Sequence, residues 1–192
     1  MNVNEAVKGI FEDSILKKKE FISSSENIET IVKVSETILD VFKNGGKILV
    51  LGNGGSAADS QHMAAEFVVR FEKNRKAFPC IALTTDTSII TAGSNDYSFN
   101  EIFSRQVEAI GKKEDILVAI STSGKSKNVL KAVQAAKEKG MKTVALTGKD
   151  GGELIKKADI SMLVKTKNTA RVQEIHVTII HAICKIVEDM AI

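Results

Sequence analysis

Five short apolar runs punctuate the chain, at residues 47–51 (KILVL), 80–83 (CIAL), 116–120 (ILVAI), 143–146 (TVAL) and 160–164. Each is brief, almost wholly apolar and rich in branched residues, as strands buried on both faces of a parallel sheet are. Helical stretches separate them: about 56–71, an amphipathic segment at 99–110, then 127–139 and a long final one at about 169–190. Ahead of the first run, residues 1–44 read as helix. In its second half Ile28, Ile31, Ser35, Ile38 and Phe42 fall at steps of three and four, with Ser35 the one interruption. Asn44-Gly45-Gly46 ends it, since glycine tolerates the left-handed cap. This alternation predicts an α/β three-layer sandwich with a five-stranded parallel sheet, a single domain over 1–192 on which the 1–44 segment packs. With strand order 2-1-3-4-5, a ligand belongs beyond the carboxyl ends of strands one and three, where the order reverses. Chemistry is therefore expected in the loops after Leu51 and after Ile120.

Composition narrows the function classes. The 192 residues are 43% hydrophobic and 27% charged, enough apolar material to exclude a disordered chain. Lys and Arg exceed Asp and Glu by 27 to 24, and the lysines are scattered. With one Tyr, no Trp and no basic-aromatic stripe, nothing suggests nucleic-acid binding. No run approaches the ~20 apolar residues of a membrane span, and the N-terminus, with acids and no clean apolar stretch, is no secretory signal. A cytoplasmic location is expected. Cys80 and Cys184 lie in apolar runs without metal-like spacing and read as buried, reduced thiols.

The first loop is Gly52-Asn53-Gly54-Gly55-Ser56-Ala57. Its glycines let backbone approach a ligand closely, Ser56 is a suitable helix N-cap, and free N–H groups at that helix start suit an anion. The string also satisfies G-x-G-x-x-A, but the acid required about 20 residues on has only Asp86 as candidate, some way too far, so no nucleotide cofactor is expected. The second loop is Ser121-Thr122-Ser123-Gly124-Lys125-Ser126. Four hydroxyls at a strand end, leading into a helix, can wrap a phosphate. A Walker A reading fails because its first glycine falls on Ala119. A third glycine cluster, 147–152 (TGKDGG), reads as a turn. The two loops together point to a phosphorylated small molecule.

His62 and Glu66 are four apart and share a helical face. Gln173 and His181 lie two turns apart on the final helix. His176 has no such partner and reads as structural or surface. The His62–Glu66 pair fits a solvated helix pair, and His181, among isoleucines, fits a hydrogen-bonded core histidine. The same groups also fit a proton-shuttling base and acid or metal ligands. Spacing leaves these readings open.

The segments at 52–66 (GNGGSAADSQHMAAE), 94–111 (SNDYSFNEIFSRQVEAIG), 119–129 (AISTSGKSKNV), 147–152 and 169–176 (TARVQEIH) resemble the sugar isomerase (SIS) domain family over nearly the whole chain. The resemblance implies a cytoplasmic homotetramer with active sites at subunit interfaces. It also implies an isomerase that converts sedoheptulose 7-phosphate to D-glycero-D-manno-heptose 7-phosphate, opening bacterial heptose synthesis for lipopolysaccharide or capsule. It assigns Glu66 and His181 as the catalytic pair. Substrate contacts fall on Asn53, Gly54, Gly55, Ser56, Glu66, Asn95, Asp96, Ser121, Thr122, Ser123, Ser126 and Gln173. His62, Glu66, Gln173 and His181 match ligands for one zinc ion per subunit. Ala170 stands where some members carry an acid, and no role is assigned to it. A non-catalytic SIS protein that associates with the replication initiator DnaA shares the GNGGSAA loop. It lacks a histidine at the position of His181 and reads STRG rather than STSG, so His181 and Ser123 favour the enzyme. Because Glu66 and His181 come from helices far apart in sequence, they are expected to meet across a subunit boundary.

Overall fold

The computed structural model describes residues 1–191. Its elements run α1 (Val3–Ile22), α2 (Ser25–Lys43), β1 (Ile48–Gly52), α3 (Gly55–Val68), β2 (Cys80–Ala82), α4 (Thr87–Asp96), α5 (Ser104–Ile110), β3 (Ile116–Ser121), α6 (Lys127–Glu138), β4 (Lys142–Gly148), α7 (Leu154–Lys157), β5 (Ile160–Val164) and α8 (Thr169–Ala191). The five strands form one parallel sheet in the order β2-β1-β3-β4-β5, as the sequence pattern predicts.

Strand alternation divides the core in two, because successive side chains point to opposite faces. Ile48, Val50, Ile116, Val118, Val144 and Leu146 pack with α2, α3 and α8. Leu49, Leu51, Leu117, Ala119 and Ala145 pack with α5, α6 and α7 on the other face. Every residue of β1 and β3 is buried, which is why neither shows the polar alternation of a half-exposed strand. β1 and β3 lie side by side in register from Ile48↔Ile116 to Gly52↔Ile120, so both expected loops leave the sheet at the same level.

Three expectations are corrected, and two helices are added. Residues 1–44 are two helices: Ser24 is extended at φ −89°, ψ 118° and opens α2, while the Asn27 side chain donates to the Phe21 carbonyl at 2.8 Å and closes α1. The helix after β1 stops at Val68, because the chain then turns into a strap on α8 described below. Helix α4, carrying Asn95 and Asp96, went unpredicted: it buries none of its residues and so shows no apolar stripe. Within 99–110 only Ser104–Ile110 is helical, and α7 is a further short helix.

Candidate active site

The glycine loop reaches its shape through one positive-φ residue and one close approach. Gly54 has φ +54°, ψ −120°, a conformation favouring glycine, and serves as the N-cap of α3. Ser56, expected in that role, lies inside the first turn, where its carbonyl accepts the Ser60 hydroxyl at 2.7 Å. A methyl group on Gly55 would collide with the Gln173 amide nitrogen. Gln173 of α8 is thus seated directly over the start of α3.

In the hydroxyl loop Ser126 opens α6 but does not cap it with its side chain. Its Oγ lies 3.4 Å from Ser121 Oγ. Ser121 Oγ accepts the Gly124 N–H at 3.2 Å, and Ser123 Oγ accepts the Lys125 N–H at 3.2 Å. The loop is thus tightened by its own hydroxyls, while Thr122, Ser123 and Ser126 remain partly exposed.

Sequence reasoning missed what supports this loop. Gly124 has φ +63°, and a methyl there would strike the Gly151 carbonyl; one on Gly152 would meet the Ser123 carbonyl at 2.7 Å. The Leu154 N–H donates to the Gly124 carbonyl at 3.1 Å. The glycine cluster after β4 is therefore a backing that lets two backbones touch. Asn128 was missed as well. Buried at the start of α6, it exchanges two 2.9 Å amide hydrogen bonds with Asn53, which ties the two loops together. Its only sequence signal was an amide at the start of the helix that follows the serines.

The titratable groups converge within one chain. His62 Nε2 lies 2.7 Å from His181 Nε2 and 3.4 Å from Glu66 Oε1, and all three donor atoms lie within 4.8 Å of one another. The expectation that Glu66 and His181 meet only across a subunit boundary is thereby corrected: α3 and α8 pack on each other on one face of the sheet. All three residues are partly exposed: His62 and Glu66 keep their contact one turn apart on α3, and His181 is not a fully buried core histidine. Two imidazoles and a carboxylate aimed at one point fit a divalent metal ion of the zinc type. His176, by contrast, is fully buried, with Nε2 3.1 Å from the Thr147 carbonyl, a structural role. Burial pushes its imidazole down to about 4, the Thr147 bond opposing. Asn95 and Asp96 are not brought to the loops; they bond each other at 2.8 Å on the exposed end of α4. Cys80 and Cys184 are buried free thiols, as expected. No described helix is long and apolar enough to cross a membrane.

Residues 11–148 match the family model described as SIS domain. The chain is 46% identical over 190 residues to phosphoheptose isomerase of Thermodesulfovibrio yellowstonii, covering 99% of this chain and 94% of that one. To the Roseiflexus phosphoheptose isomerase it is 53% identical over 158 residues, 82% and 80% of the two chains. The solved phosphoheptose isomerase GmhA of Neisseria gonorrhoeae superposes with a TM-score of 0.92 at 44% identity, covering 98% of this chain and all of that one.

Proposed function

The chain belongs to the SIS domain family, and on that premise we infer that it is an aldose–ketose isomerase converting sedoheptulose 7-phosphate to D-glycero-D-manno-heptose 7-phosphate. The observation that carries the inference is the cluster of Glu66, His62 and His181 on α3 and α8, with α3 opening directly from a glycine loop that Asn53 and Asn128 tie to a hydroxyl loop.

The reaction moves a proton between C1 and C2 through an enediolate, so it needs a base at carbon and a proton carrier at oxygen. Glu66 takes the first part and His181 the second. Ser121, Thr122, Ser123 and Ser126 hold the 7-phosphate, a remote contact that fixes the sugar in register. Asn53, Gly54, Gly55, Ser56 and Gln173 line the sugar between. His62, Glu66 and His181, with Gln173, would hold a zinc ion, which would supply Lewis-acid polarisation of the substrate's oxygens.

The functional unit of this reading is one SIS domain, assembled as a cytoplasmic homotetramer. Two features support assembly: Val3, Ile10, Phe11, Ile15 and Leu16 of α1 are all more than half exposed, and α4 carries Asn95 and Asp96 on a helix with no fully buried residue. Such a helix suits completion of a neighbouring subunit's site. The product would feed a bacterial surface polysaccharide.

The direct test is to incubate the protein with sedoheptulose 7-phosphate and follow anomeric protons by NMR. Aldose signals should grow in proportion to protein concentration. Substrate binding without turnover would contradict the isomerase and leave a sugar-phosphate binding module.

A further inference from the structure

Glu188 lies on α8 two turns beyond His181 and is completely buried. Its carboxylate nonetheless has four donors. Oε1 accepts the Phe71 N–H at 3.1 Å and Arg75 Nε at 3.0 Å; Oε2 accepts the Glu72 and Lys73 N–H groups at 2.9 and 2.8 Å. Burial alone would raise this carboxyl, but the three N–H groups and the Arg75 charge outweigh it and hold it below the ordinary glutamate range.

Arg75, whose side chain is also buried, turns its other donors chiefly to the end of α3. Nη2 donates to the Glu66 carbonyl at 2.8 Å, and Nη1 to the Phe67 and Lys76 carbonyls at 2.9 and 3.0 Å. The last carbonyls of a helix have no partner within it, and one satisfied here belongs to Glu66 itself. The strap held by Glu188 also carries Phe71, whose ring centroid lies 5.5 Å from that of His181. One ion pair thus touches the backbone of one acid–base residue and the wall beside the other.

A buried ion pair is seldom the most stabilising way to fill a core, since desolvation offsets most of the attraction. Its value lies in fixing geometry. We propose that Arg75 and Glu188 are positioning residues for the acid–base cluster, fastening the end of α3 and Phe71 to α8 so that Glu66, His62 and His181 keep one mutual separation. This inference rests on the functional reading of that cluster given above.

The test is Glu188→Gln, which preserves volume but cannot accept all four bonds, with Arg75→Lys, which keeps the charge but loses the fork to the Glu66 and Phe67 carbonyls, as a second variant should the first not fold. In a folded variant the imidazole ε1-proton NMR signals of His62 and His181 should move or split while that of His176 holds. The turnover number should fall about 10-fold, in keeping with the cost of small misplacements. KM and the affinity for inorganic phosphate at the hydroxyl loop should stay within about twofold. Unmoved His62 and His181 signals in a folded variant, or a turnover number that falls only with the folded fraction, would overturn the proposal. The histidine signals and phosphate binding need no turnover, so an inactive parent protein would refute the isomerase reading while leaving this test intact.

Discussion

Asp59 sits one turn before His62 on α3, with its Oδ2 buried and lacking a hydrogen-bond partner. Burial pushes its carboxyl from 3.8 up to about 6, with the His62 charge pulling the other way. Its contribution to stability is therefore complete below about pH 4 and is lost as pH rises through 6. His176 has the opposite sign: lowered from 6.5 to about 4, it contributes fully above about pH 6.5 and loses that as pH falls through 4. Between pH 4 and 6 the two contributions offset each other. Asp59→Asn removes one and leaves the other, so the melting temperature of the variant should drop more steeply than the parent's from pH 6.5 to 4. Thermal melts at three pH values check this; parallel curves for variant and parent would contradict it. At this scale the sequence was legible where local spacing decides, as for His62 and Glu66 one turn apart on α3. It was silent on Glu188, Arg75 and Asn128, whose partners stand 113, 113 and 75 residues away.

The five strands and the two loops were readable at the scale of elements because burial on both faces leaves apolar runs that end abruptly at glycine and serine. Helices α4 and α7 were not, since one has no fully buried residue and the other spans four residues. The break between α1 and α2 escaped because serine at 23 and 24 neither forces nor forbids a helix. The role of the third glycine cluster was equally hidden, since it depends on a contact between two loops. That contact yields a prediction. Gly124→Ala meets both a positive φ and the Gly151 carbonyl, so it should cost at least about 1–2 kcal/mol of stability and raise KM by deforming the phosphate loop. Ser123→Ala should raise KM with kcat little changed, because a phosphate contact exists equally in ground and transition states. Steady-state kinetics with denaturant melts check both; an unchanged KM in both variants would remove the phosphate from this loop.

The sandwich of the whole molecule accounts for two halves of a site and leaves α1 with an apolar surface that its own chain does not cover. Only Phe21 of that helix is buried. Phe11→Asp with Ile15→Asp should therefore lower the mass of the assembly measured by light scattering, and with it the activity; a parent protein already monomeric and active would contradict the tetramer. The central claim is that Glu66 removes the proton from carbon, and the most direct measurement is turnover of sedoheptulose 7-phosphate in deuterated water by the parent and by Glu66→Gln, with metal content determined in each. The parent should place deuterium at C2 of the aldose, and the folded variant should lose at least about 10²-fold in kcat together with that exchange. Near-parental turnover and deuterium incorporation by a folded Glu66→Gln protein would contradict the account.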